Sequence, residues 1–291
     1  MKSETRGSAE VFIGGAIWGT IGIFVTKMSQ YGADAITISL IRMVFSFAIL
    51  AVITAVKYGF GAFKVNGVTL LWCAVLGIVC HGVYNVFYSI AIVKTGVTIS
   101  AVLLNVAPVF TAIVSMIFYS EKITRLKALA LTINVIGCVL AVTGGNISLE
   151  GLSIVGIFFG VLAGLCYGLT AIFGRAAGDR TNPFVMSTYS YLFAAVFLAI
   201  AAKPMGASMT MNAPVLIWGF LYALIPTAIA YLIYYAGVQK VKESSRVPVY
   251  ASVETVVAAV LGIAVNHEVL GAVNIIGIAV VLLSIAMMNK K

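Results

Sequence analysis

Long apolar runs, separated by short polar stretches, dominate the chain from near its start to its end. Ten can be drawn: about Ala9–Met28, Ala35–Lys57, Val68–Ile92, Val97–Tyr119, Leu126–Gly144, Leu152–Arg175, Pro183–Ala202, Val215–Val238, Val247–Val265 and Val269–Met288. Each approaches the roughly 20 apolar residues that an α-helix needs to cross the hydrocarbon core of a bilayer. Strands compete poorly. An open sheet cannot satisfy its edges in lipid, and barrel strands read as weak alternating segments, not continuous runs. The pattern predicts an all-α membrane protein with ten transmembrane helices.

Composition agrees: 62% of the 291 residues are hydrophobic and 9% charged, where a soluble domain carries roughly a quarter charged residues. Ten spans and their loops use up this length, so no separate soluble domain is expected. A net charge of +9 would suggest nucleic acid in a soluble protein. Here the basic residues sit in loops. With the N-terminus inside, fourteen of the eighteen Lys and Arg fall in inner segments, among them Arg6, Lys57, Lys127, Arg175, Lys240 and Arg246. Outer loops hold Lys27, Lys94 and Lys203, and Arg42 lies within a helix. The positive-inside rule then puts both termini in the cytoplasm of a cell (inner or plasma) membrane protein and requires an even number of spans. The basic, apolar start has the look of a signal peptide, but without a small-residue cleavage site it reads as a retained first helix. Cys73, Cys80, Cys138 and Cys166 are scattered through apolar runs without metal-ligand spacing, so they read as small core residues.

The two halves echo each other. Gly15-Ala16-Ile17-Trp18-Gly19-Thr20-Ile21-Gly22-Ile23-Phe24 aligns with Gly164-Leu165-Cys166-Tyr167-Gly168-Leu169-Thr170-Ala171-Ile172-Phe173. Asn105-Val106-Ala107-Pro108, ending near Glu121, aligns with Ser252-Val253-Glu254-Thr255, ending near Glu268. Residues 1–144 and 152–291 thus form two five-span repeats joined by a linker, 145–151. An odd number of spans inserts the second repeat upside-down relative to the first, a common plan for secondary transporters with a midplane site.

On these residues the chain resembles the drug/metabolite transporter superfamily, in its EamA-type branch. The resemblance rests on Trp18-Gly19, Arg42, Pro108 with Ser120-Glu121-Lys122-Ile123-Thr124, Val253-Glu254-Thr255-Val256-Val257-Ala258-Ala259, and Asn266-His267-Glu268. The family pattern often has Pro after the glutamate of the ninth span, where this chain has Thr255. The resemblance implies a ten-helix fold of two inverted repeats. It also implies export or exchange of amino acids, related metabolites or drugs.

Polar groups inside the membrane are costly, about 3 kcal/mol for a charge at a helix centre, so each is a candidate. Glu254 is the carboxylate well inside a span. It could exchange a proton, pair with a cationic substrate, or serve structurally as a hydrogen-bonded carboxyl. Arg42 could hold a substrate carboxylate in its guanidinium fork, satisfy carbonyls, or snorkel outward. His81, Tyr84, Asn85 and Tyr88 share one face at α-helical spacing, and Tyr231 and Tyr235 form the matching stripe of the eighth span. Such tyrosines suit an amphipathic or cationic ligand; a hydrogen-bonded core role competes for His81. Trp18 and Tyr167 could face each other across a cavity, while the neighbouring glycines read as close-packing faces. Tyr58 and Tyr119 read as interfacial anchors, Glu121 and Glu268 as interfacial and structural, and Asn105 with Pro108 as a kink.

No Walker loop, HExxH or GxSxG motif is present. The expectation is therefore a non-enzymatic secondary transporter of small polar metabolites, amino acids or related compounds, working by alternating access, with proton coupling through Glu254 or simple exchange. It would act as monomer or homodimer in contact with membrane lipid, without cofactor, metal or nucleic acid. The alternatives are a transporter of organic cations or drugs, and, in another class, an intramembrane enzyme or a non-transporting sensor.

Overall fold

The computed structural model describes residues 2–146, 153–266 and 271–289. Most of the linker, 147–151, lies outside the described residues, as do His267 and Glu268. The described residues form helices and loops, with no strand among them. Eight helical stretches are long and apolar enough to cross a membrane: Glu4–Gln30, Ala35–Tyr58, Gly67–Val97, Ile99–Tyr119, Arg125–Thr143, Ile154–Gly178, Pro183–Ala202 and Ala213–Val238; a shorter apolar helix covers Ala272–Met288. Val52, Val56, Ile117, Ile200 and Leu283 point outward and are exposed. In water such an apolar surface would be a liability; in lipid it is what a spanning helix requires.

Several runs are not single helices. The first divides into α1 (Lys2–Trp18) and α2 (Ile21–Gln30). After α3 (Ala35–Tyr58), the third run begins with α4 (Gly67–Val75), passes through a π-helical segment, Leu76–Val83, and continues into α5 (Tyr84–Leu104), which is kinked at Gly96 (φ 81°), where the third run gives way to the fourth. The fourth run, which starts after Gly96 in α5, restarts as α6 (Ala107–Tyr119). Then come α7 (Arg125–Thr143), α8 (Ile154–Gly178) and α9 (Pro183–Ala202). The eighth run repeats the pattern of the third: α10 (Ala213–Tyr222), a π-helical segment at Ala223–Ile229, and α11 (Ala230–Val238). The expected ninth helix is instead two, α12 (Val247–Ala251) and α13 (Val253–Asn266), followed by α14 (Ala272–Asn289).

These interruptions have local causes. Pro108 has no N–H for the carbonyl of Leu104, and the chain restarts at Ala107; Asn105 Nδ2 donates to the Ala101 carbonyl at 2.9 Å. Pro226 likewise frees the carbonyl of Tyr222, which Thr227 Oγ1 takes up at 3.0 Å. The ninth run breaks at Ser252 without a proline after Glu254; Ser252 Oγ turns back onto the carbonyl of Val249 at 2.7 Å. The breaks at Asn105 and Ser252 fall where the repeats align in sequence, and the π-helical segments occupy corresponding runs. The break after Trp18 has no counterpart, since α8 runs unbroken through Tyr167.

Close packing carries the same relation. A Cβ on Gly15 of α1 would meet the Ala251 carbonyl of α12 at 2.5 Å, and one on Gly168 of α8 would meet the Ala107 carbonyl of α6 at 2.7 Å. The first helix of each repeat thus lies, glycine face down, on the broken helix of the other. Corresponding helices also pair: α3 with α9 through Thr54 and Thr188 (3.2 Å), and α7 with α14 where Gly137 meets Val281 and Gly277 meets Ala141. This is the contact pattern of two repeats about a pseudo-two-fold axis.

Candidate functional site

The broken helices and tyrosine-bearing helices surround a cavity of about 760 Å³, within the range of small-molecule sites. Its wall is aromatic. Trp18 stands at the end of α1 with the rings of Tyr231 at 4.6 Å, Tyr234 at 4.7 Å and Tyr167 at 6.3 Å. Tyr84 stacks between Tyr167 and Tyr88, 5.8 Å from each.

Two ionisable groups face this space. Glu254 lies in the first turn of α13, where the helix dipole favours negative charge. The Tyr167 hydroxyl donates to its carboxylate, 3.3 Å from Oε1 and 3.2 Å from Oε2. Arg42 is buried, and its Nη1 donates to the Tyr222 hydroxyl at 2.9 Å and Nη2 to Asn85 Oδ1 at 3.3 Å. Its guanidinium lies 5.0 Å from the centroid of the Tyr222 ring. Both Arg42 Nε and Trp18 Nε1 are buried donors with no acceptor among the described residues. Arg42 and Glu254 do not pair with each other; each has its own partners.

Of the residues singled out in the sequence, Trp18, Arg42, Tyr84, Tyr88, Tyr167, Tyr231 and Glu254 line the cavity. His81, Asn85 and Tyr235 stand behind the wall. His81 Nε2 is 3.2 Å from the Tyr235 hydroxyl, and its ring packs on Tyr191 and Tyr231. Asn85 takes a hydrogen bond from Ser39 Oγ at 2.8 Å and donates to the His81 carbonyl. The expected single face of His81, Tyr84, Asn85 and Tyr88 therefore divides: His81 sits on the wider π-helical turns ahead of Tyr84, off the register that α-helical spacing assumes, and Asn85, within α5, is held by Ser39, Arg42 and the His81 carbonyl. Tyr222, Tyr234 and Gly22 are the participants that the spacing did not single out.

The cavity reaches the end of the bundle where Val97, Val142 and Asn274 lie. The opposite end is closed by a polar network joining the two repeats. The Glu121 carboxylate accepts from the Ser244 and Ser245 backbone N–H groups at 2.6 and 3.2 Å and from Ser245 Oγ at 2.8 Å. Arg175 lies 3.6 Å from Glu121 and donates to the Lys242 carbonyl and Ser244 Oγ. Lys127 pairs with Glu243 at 2.6 Å, and Lys240 pairs with Glu10. Burial pushes the Glu243 carboxyl up, but Lys127 and Arg246 outweigh it and hold the group below its ordinary value. Tyr119 is tied in as well: its hydroxyl donates to the Ile172 carbonyl at 3.1 Å, beneath the Arg175 guanidinium. No cluster of His, Cys, Asp and Glu suited to a metal occurs among the described residues.

Comparison with known proteins agrees with this architecture. The model of the EamA-like transporter family matches twice, over residues 5–143 and 154–290. A protein of Archaeoglobus fulgidus described as an uncharacterized transporter is 27% identical over 276 residues, covering 95% of this chain and 93% of its own length. The uncharacterized transporter YyaM of Bacillus subtilis is 26% identical, covering 69% of each chain. One crystal structure superposes with a TM-score of 0.82 over 97% of both chains at 12% identity, a likeness of fold alone.

Proposed function

This chain belongs to the EamA-like transporter family, and on that footing we propose that it is a secondary transporter of small polar metabolites, amino acids or related compounds, working by alternating access. The observation that carries the reading is the cavity: one guanidinium, one carboxylate and an aromatic wall, reachable from one end of the bundle and sealed at the other. A zwitterion is a natural match for a site that offers both charges, and tyrosine rings add contact area for an amphipathic body.

In this reading the chain crosses the membrane ten times as two inverted repeats, with both termini in the cytoplasm. The Lys- and Arg-rich sealed end then faces the cytoplasm and the cavity faces outward, so the structure corresponds to an outward-facing state. Access alternates when the repeats rock about the glycine-packed seams and the Glu121 network opens. Proton coupling falls to Glu254, whose only protein partner among the described residues is the Tyr167 hydroxyl. A second reading, transport of organic cations, is favoured by one observation: Glu254 stands beside stacked tyrosines, the surroundings that bind ammonium groups.

The test is flux into proteoliposomes at several pH values, with wild type and Glu254→Gln. The reading expects saturable flux that depends on a proton gradient in the wild type and loses that dependence in the variant. A variant with unchanged rate and unchanged pH dependence overturns the role of Glu254.

A further inference from the structure

The cavity collects hydrogen-bond donors that the protein itself leaves unused. Arg42 is 6% exposed, has only neutral acceptors, and its Nε has none among the described residues. A buried charge without a counter-charge is expensive, so such a group points to something outside the protein that uses it. Trp18 Nε1, also in the wall, is a second buried donor without an acceptor.

The break after Trp18 adds a third source. Helix α2 starts at Ile21 with no side-chain cap, because Thr20 Oγ1 donates backward to the Ile17 carbonyl at 2.7 Å. The first N–H groups of a helix have no intrahelical acceptor, and Ile21 and Gly22, which carry two of them, line the cavity. Phe24, one turn on, stacks on Tyr222 at 5.8 Å, the same ring that carries the Arg42 guanidinium. The start of α2 and Arg42 are thus tied to one side of the cavity by a shared residue. A Cβ on Gly22 would meet nothing within 4 Å, so this glycine is not required by packing. Its bare Cα leaves the uncapped amides approachable.

We propose that Arg42, Trp18 Nε1 and the amides of Ile21 and Gly22 form a seat for the carboxylate of the transported molecule, with Gly22 setting access to it. Half-helix N-termini serve anionic substrate groups in this way in broken-helix transporters. The proposal rests on the amino-acid reading above and sharpens it: the carboxylate goes to Arg42 and α2, and the cationic end to Glu254.

Binding to the purified full-length protein in nanodiscs tests it, using the twenty common L-amino acids, the amine that corresponds to each binder without its carboxylate, and its methyl ester. The expected result is that amine and ester bind at least tenfold more weakly than the acid. Arg42→Gln should lose acid binding. Gly22→Ala should weaken it about tenfold while melting no lower than the wild type, since Ala is the better helix former and has open space there. Amines or esters that bind as tightly as the acids, or a Gly22→Ala protein with unchanged acid affinity, would overturn the seat and leave the transporter reading standing. A panel in which no amino acid binds overturns both the seat and the amino-acid reading.

Discussion

Replacing Glu121 with Gln is expected to open the sealed end of the bundle. The carboxylate takes hydrogen bonds from Ser244 N, Ser245 N and Ser245 Oγ at 2.6, 3.2 and 2.8 Å, with Arg175 at 3.6 Å. A Gln side chain keeps one acceptor oxygen and turns an NH2 group toward donors. At least one bond to a charged acceptor is lost, together with the attraction to Arg175. Hydrogen bonds to charged groups contribute about 1.5–3 kcal/mol each, so the substitution should cost the closed arrangement about 2–4 kcal/mol. Even the lower figure shifts the balance between closed and open ends roughly thirtyfold. The assay places one cysteine in the cavity, Ala258→Cys, in a background where Cys73, Cys80, Cys138 and Cys166 are Ala, and labels it with a membrane-impermeant maleimide from either face of oriented vesicles. With Glu121 present, labelling should come from the face at the Val97 and Asn274 end. With Glu121→Gln, labelling from the other face should rise at least tenfold. Unchanged labelling from that face would refute the assignment of Glu121 as the clamp.

Three further outcomes follow from packing and charge. Gly168→Ala places a Cβ 2.7 Å from the Ala107 carbonyl, and this overpacking should cost about 1–3 kcal/mol, read as a lower melting temperature in detergent. Asp34 caps α3 by accepting from Ile36 N and Thr37 N at 2.9 and 3.0 Å, so Asp34→Ala should lose about 1 kcal/mol, again visible as a lower melting temperature. Burial pushes the Asp34 carboxyl up, but hydrogen bonds from Ser208 and Thr37 outweigh it and bring the group from 3.8 to about 2. A lowered carboxyl stabilises the fold above its unfolded value and loses that contribution on acidification. The melting difference between wild type and Asp34→Asn should therefore be constant near neutrality and shrink as pH falls from about 4 towards 2; a difference that grows on acidification would contradict the assignment.

Much of this architecture was legible in residue order. The apolar runs locate the eight long spans, the internal alignment predicts that Asn105 and Ser252 correspond, and both prove to be helix breaks. The burial of the four cysteines also follows from their apolar surroundings. What could not be read has a common cause. Turns with π-helical geometry look like any other helix in sequence, yet they change which side chains share a face, and so His81, on such a turn, falls behind the cavity. Partnership across the chain is equally hidden. Glu121 sits at a span end and reads as interfacial, but its side chain is only 6% exposed and is held by backbone N–H groups more than a hundred residues away. The ninth run shows a further limit: Thr255 stands where a proline would have marked a break, and the helix breaks at Ser252 regardless.

The proposed function requires that a small polar molecule pass through the cavity between the two repeats. Counterflow in proteoliposomes measures such passage, using labelled L-amino acids and comparing wild type with Ala258→Phe, which fills the cavity from its exposed wall. The expected result is saturable counterflow of at least one amino acid in the wild type and its loss in a variant that melts as the wild type does. Counterflow that is undiminished when the cavity is filled would contradict it.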